Sequence, residues 1–133
     1  MSDTVPNALV VEDDLEIRAC LRHALLGDGW QVAEAETLEG ALASAGRQPL
    51  DLIVLDLGLP ESDCVAFITH IRQQSEVPIV VMAARVDGAK KMHALAAGAN
   101  DYLSKLFGIG ERFDAILCRF RPGAARQHGE CHE

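Results

Sequence analysis

The sequence predicts one α/β domain built around a parallel sheet. Three observations support this. Leu50 to Leu55 and Ile79 to Met82 are nearly continuous apolar runs of strand length, as expected of strands covered on both faces. The segments between such runs repeat apolar residues at helical spacing. At 133 residues the chain fits one domain, able to bury roughly two thirds of its unfolded surface without disulfides or a structural metal.

Ala8-Leu9-Val10-Val11 reads as a short buried strand ending in three consecutive acids, Glu12-Asp13-Asp14. Ile17, Leu21, Ala24 and Leu25 recur on one helix face, and Gly27 with Gly29 marks its stop. Asp14 is placed to cap that helix, but a cap uses one side chain and does not account for three acids. Trp30 to Ala35 reads as a second, more alternating strand, and Thr37 with Leu38, Ala41 and Leu42 as a short capped helix. The central strand, Leu50 to Leu55, ends at Asp56, and Gly58 and Pro60 turn the chain. Asp63 is placed to cap a third helix with Val65, Phe67, Ile68 and Ile71 facing inward. After Pro78, Ile79 to Met82 forms a fourth strand. Met92, Leu95, Ala96 and Ala99 define a fourth helix ended by Gly98 or Asn100. Tyr102 and Leu103 make a short fifth strand leading to Ser104 and Lys105. Phe113, Ile116, Leu117 and Phe120 form the last helix before Pro122-Gly123. Five strands alternating with five helices in about 120 residues give a doubly wound sheet of flavodoxin-like type. Residues 1–121 are read as the domain and 122–133 as a disordered tail.

A net charge of −8 argues against a nucleic-acid surface within this chain and against binding to anionic membranes. No apolar run approaches the roughly 20 residues of a membrane span, and the first residues lack the pattern of a signal peptide. A cytoplasmic protein is expected, with Cys20, Cys64, Cys118 and Cys131 as free thiols. The terminal His128-Gly129-Glu130-Cys131-His132-Glu133 carries metal-ligand residue types, but a terminal peptide of this kind is usually unstructured.

In an open α/β sheet, ligands collect at the carboxyl ends of the strands. There Glu12, Asp13 and Asp56 come together with Lys105 beside them. Asp56 alone reads as a metal ligand, a nucleophile or a helix cap. Several carboxylates at one rim repel one another unless a cation is present, and hard oxygen ligands suit Mg2+. A divalent ion would neutralise an incoming phosphoryl group while Lys105 held one of its oxygens, leaving Asp56 to attack.

Val10-Val11-Glu12-Asp13-Asp14, Leu55-Asp56-Leu57-Gly58-Leu59-Pro60, Ala97-Gly98-Ala99-Asn100-Asp101-Tyr102 and Ser104-Lys105-Leu106-Phe107-Gly108 together resemble the receiver domain of bacterial two-component response regulators. Gly27-Asp28-Gly29, Ala35-Glu36-Thr37-Leu38 and Phe107-Gly108-Ile109-Gly110-Glu111 are most similar to the potassium-transport (KdpE-type) regulators of the winged-helix, OmpR/PhoB class. The resemblance implies a CheY-like receiver fold, with Asp56 accepting a phosphoryl group from a sensor histidine kinase. It implies Mg2+ held by Asp13, Asp56, the Gly58 backbone carbonyl and, through water, Glu12, with Lys105 on the phosphoryl group. Tyr102 would be the switch aromatic, and Lys91, Asp101 and Glu111 would lie on a homodimer face formed by the fourth helix, fifth strand and last helix. Such a domain is not an enzyme, although it promotes its own phosphotransfer and dephosphorylation. It would regulate transcription, of potassium-transport genes for this type, through a DNA-binding domain. That domain needs roughly another hundred residues, which 122–133 do not supply.

The sequence departs from the family pattern at several places. Ala83 stands where the family has a Ser or Thr that bonds the phosphoryl group. A lost hydrogen bond to a charged group is worth about 1.5 to 3 kcal/mol, comparable to the energies that drive two-state switches. Leu106 replaces the cis proline after the lysine, so a trans bond is expected there. Cys64 replaces a glycine after Asp63. Ala115 and Leu117 lie near expected basic positions of the last helix, where Arg119 and Arg121 are candidate substitutes. These changes leave a second reading: a degenerate receiver serving as a phosphorylation-independent interaction module. A phosphatase of the haloacid dehalogenase type would need an Asp where Gly58 stands. A flavin site is disfavoured by the acidic strand ends, and Gly108-Ile109-Gly110 is too short for a dinucleotide motif.

Overall fold

The computed structural model describes residues 5–59, 63–83, 88–104 and 109–122. Among them, five strands alternate with five helices: β1 (Asn7–Val11), α1 (Leu15–Gly27), β2 (Gln31–Ala35), α2 (Leu38–Arg47), β3 (Leu52–Asp56), α3 (Cys64–Arg72), β4 (Ile79–Ala83), α4 (Gly88–Ala97), β5 (Asp101–Ser104) and α5 (Ile109–Phe120). All strand pairings are parallel and the order is β2-β1-β3-β4-β5. This is the doubly wound, flavodoxin-like sheet that the alternation of elements predicts.

Side-chain alternation divides the core into two layers. Leu9, Val11, Ile53, Leu55, Ile79 and Val81 pack with Ala41 of α2, with Phe67, Ile68 and Ile71 of α3, and with Ala94 of α4. Their neighbours Ala8, Val10, Leu52, Val54, Val80 and Met82 face the opposite way, onto Leu21 and Leu25 of α1 and Phe113, Ile116 and Leu117 of α5. β3 and β4 are buried along their whole length, which is why they lack polar alternation. The chain builds outward from β1 in one direction to β2 and in the other to β3. The strand order therefore reverses between β1 and β3, and a crevice opens beyond their carboxyl ends.

The predicted caps are present. Asp14 Oδ1 accepts from the Ile17 amide, Thr37 Oγ1 from that of Gly40, and Asp63 Oδ1 from that of Ala66. Two helix faces differ from expectation. Val65 is exposed, because α3 turns Cys64, Phe67, Ile68 and Ile71 inward and Val65 lies beside that stripe. Met92 is also exposed (62 %), and the fully buried residue of α4 is Ala94, which belongs to the core layer shared with α3. Trp30 is buried but precedes β2. Cys20 and Cys64 are free thiols, whereas Cys118 is disulfide-bonded, contrary to the expectation of four free thiols.

At the rim where the strands begin, Arg72 ties α3 to the turn after α4. Its guanidinium donates to the Gly98 carbonyl (3.0 Å), the Ser75 carbonyl (3.1 Å) and Asn100 Oδ1 (2.7 Å). Burial pushes this guanidinium below its ordinary value, against the opposing charge of Glu76. Gly98 has a φ of +130°, and a Cβ there would lie 2.7 Å from Arg72 Cγ. Only glycine suits both the dihedral and the contact. At the same rim Arg121 bonds the backbone oxygen and Oδ2 of Asp28, and its guanidinium lies 5.8 Å from the Trp30 ring centroid.

Candidate functional site

The β1 and β3 ends deliver three acids to the crevice. Asp56 is the last residue of β3 and is buried; Glu12, directly after β1, is fully buried; Asp13 is exposed at the mouth. One carboxylate oxygen from each lies within 4.8 Å of the others. Residues far apart in sequence converge because the β1 register places Leu55 beside Val11.

Two of the acids, Glu12 and Asp56, are oriented by local main chain. Glu12 donates its amide to the Ala35 carbonyl (3.0 Å), and its Oε2 accepts from the Asp14 amide (3.1 Å). Asp56 Oδ1 accepts from the Gly58 amide at 2.9 Å, a side-chain turn that fixes the carboxylate rotamer. Cys64 Sγ donates to the Asp56 backbone oxygen at 3.6 Å. The cysteine that departs from the family's glycine is thus a buried helix-start residue under the central acid. Asp14 is occupied as the α1 cap, so the run of three acids divides into one cap and two site residues.

Two buried carboxylates beside a third are costly to charge together, and a divalent cation relieves that repulsion. Three carboxylates are hard oxygen donors of the kind Mg2+ takes while keeping several of its waters. The donor set therefore fits the ion. A groove of about 740 Å³ between α2 and α3 adjoins Asp13, lined also by Glu36, Leu59, Asp63 and Phe67.

Ala83 ends β4 at the same rim, buried, one residue beyond the Met82 that pairs with Asp56, and opposite Ser104 of β5. Its side chain brings no hydroxyl. Tyr102 is half-buried against the core layer that contains Ala83, and Lys91 Nζ sits 4.8 Å from its ring centroid. Asp101 pairs within the chain, its Oδ2 lying 2.6 Å from Arg119 Nη1. Lys105, Leu106 and their peptide bond, Ala84, Pro60 and the terminal His/Cys segment lie outside the described residues, as does the side chain of Glu111. Sequence reasoning missed Arg18, which reaches the site from α1. Its Nη1 donates to the Glu12 carbonyl (2.9 Å) and its Nε to Glu34 Oε1 (3.0 Å). No local pattern announces it, because one partner is main chain and the other lies 16 residues away.

Among the described residues no helix is long and apolar enough to cross a membrane. Residues 8–117 match the family model described as the response regulator receiver domain. The chain is 55% identical over 122 residues to the KDP operon transcriptional regulatory protein KdpE of Escherichia coli, covering 92% of this chain and 52% of that protein. It is 39% identical over 118 residues to the transcriptional regulatory protein KdpE of Mycobacterium tuberculosis, covering 89% and 50%. The chain thus spans about half the length of these curated relatives. Among solved structures, it is similar to the receiver domain of a sensor histidine kinase of Pseudomonas aeruginosa, solved with a magnesium ion coordinated in the active-site cleft. The TM-score is 0.77 at 31% identity, covering 88% of this chain and 98% of that one.

Proposed function

The chain belongs to the response regulator receiver domain family, and from that premise we propose that it accepts a phosphoryl group from a sensor histidine kinase on Asp56. The observation that carries this reading is the convergence of Glu12, Asp13 and Asp56 within 4.8 Å at the strand-order reversal. Asp13 and Asp56 would hold Mg2+ directly, with the Gly58 carbonyl as a further ligand and Glu12 acting through water. When bound, the ion supplies positive charge against the oxygens of the phosphoryl group. An Asp56 carboxylate oxygen forms the new bond to phosphorus as the bond to the donor imidazole nitrogen breaks, and that nitrogen keeps the electron pair. Lys105 would hold a phosphoryl oxygen. The Gly58 amide, already on Asp56 Oδ1, keeps the carboxylate from rotating away. The domain promotes this transfer and the later hydrolysis on itself rather than turning over a substrate.

The output reading follows the relatives: transcriptional control of potassium-transport genes, through a DNA-binding domain outside residues 1–121, in the cytoplasm. Signalling would pass through Tyr102 to a homodimer face of α4, β5 and α5 that includes Lys91, Asp101 and Glu111. Since Asp101 is paired with Arg119 inside one chain, dimerisation would exchange that partner for one on a second copy. The test is incubation with a small phosphodonor and Mg2+, followed by intact-mass measurement. Addition of one phosphoryl group to the wild type and none to Asp56→Asn supports the reading; equal addition to both defeats it.

Buried Ala83 favours one alternative, a receiver fold used as a phosphorylation-independent interaction module. Such a module keeps the same oligomeric state with and without beryllofluoride. Dimerisation on adding that mimic rules it out.

A further inference from the structure

We infer that Arg18 is a positioning residue for the metal-binding acids, one that holds the Glu12–Asp13 peptide so that both side chains converge on Asp56. The inference rests on the magnesium reading above. Arg18 lies on α1, yet its side chain is only 12% exposed. Its guanidinium spans three segments: Nη1 donates to the Glu12 carbonyl at 2.9 Å, Nε to Glu34 Oε1 at 3.0 Å, and Nη2 lies 3.7 Å from Glu36 Oε2.

The Glu12 carbonyl belongs to the peptide unit that joins the two site acids. A fixed direction for that carbonyl fixes the directions of the Glu12 and Asp13 side chains relative to each other. The preceding peptide is held by the Ala35 carbonyl and the following turn by Glu12 Oε2, so Arg18 closes the set. Exposed Asp13 gains most, because its direction comes from the backbone rather than from packing. A nearly buried guanidinium needs a charged partner, and Glu34 at the end of β2 supplies it. Lysine is no substitute: one ammonium lacks the planar fork that reaches a carbonyl and a carboxylate at fixed angles.

The test is calorimetric titration of the full chain with Mg2+ for wild type, Arg18→Lys, Arg18→Ala and Arg22→Ala, with amide shifts of Asp13 and Asp14 recorded before metal is added. Arg22 shares Glu34 from the exposed side, 3.7 Å from its Oε2, and serves as the control for loss of an ion pair alone. Arg18 variants are expected to bind Mg2+ about 10- to 100-fold more weakly, as partners that orient ligands usually do when removed. Their Asp13 and Asp14 amide shifts should already differ without metal, and Arg22→Ala should match the wild type. Arg18→Lys decides the matter if Arg18→Ala does not fold. Wild-type affinity in folded Arg18→Lys overturns this inference alone, whereas a wild type that binds no Mg2+ overturns it together with the magnesium reading.

Discussion

Lys91 Nζ stands 4.8 Å from the centroid of the Tyr102 ring, so a charge on α4 lies over the half-buried aromatic of β5. A cation over an aromatic face contributes about 0.5–1 kcal/mol at an exposed site. Lys91→Gln keeps the helix propensity and much of the length while removing the charge. It is expected to lower stability by about 0.5–1 kcal/mol and to move the ring resonances of the chain's only tyrosine. Unmoved ring resonances would show that the contact does not persist in solution.

Clustered carboxylates link metal binding to stability. An ion that binds only the folded state at ten times its Kd adds about 1.4 kcal/mol. The wild type should therefore unfold at higher urea when Mg2+ is present. In Asp56→Asn one charge of the cluster is gone, so the metal-free protein should be as stable as the wild type or more so, and the Mg2+ increment should shrink. An undiminished increment in Asp56→Asn would place the ion elsewhere.

Two glycines at helix ends should respond oppositely to alanine. Gly98→Ala meets a positive φ, worth about 1–2 kcal/mol, as well as the Arg72 side chain, and should lower the urea midpoint clearly. Gly27, the last residue of α1, has open space around its Cβ direction. Gly27→Ala should be neutral or stabilising by up to about 1 kcal/mol. Equal effects at the two positions would remove the steric account of Gly98.

Ala83→Ser restores a hydroxyl at the end of β4. Buried and without phosphate, that hydroxyl should cost about 1–3 kcal/mol if it finds no partner. With beryllofluoride on Asp56, a hydrogen bond to a charged group should return about 1.5–3 kcal/mol. The stabilisation by beryllofluoride should therefore be larger in Ala83→Ser than in the wild type, as read by thermal unfolding. An equal increment would mean that position 83 does not reach the phosphoryl group.

The fold was legible where burial leaves a one-dimensional trace. β3 and β4 read as continuous apolar runs because helices cover both faces, and Asp14, Thr37 and Asp63 announced their helices because capping needs a particular side chain at one position. α4 read less well: in a helix rich in alanine the largest apolar residue, Met92, suggested the inner face, but the buried face centres on Ala94. At the site, Glu12, Asp13 and Asp56 were legible as acids at strand ends. Arg18 was not, since its work is done on a main-chain oxygen and on a strand neighbour fixed only by the sheet register.

Arg121 fastens the end of α5 to Asp28 and Trp30, where the strands begin, whereas Asp56 sits where they finish. The molecule thus has two poles separated by the length of its strands. The Asp28–Arg121 contact fastens α5 at the pole opposite the acid cluster, a strand length away from it.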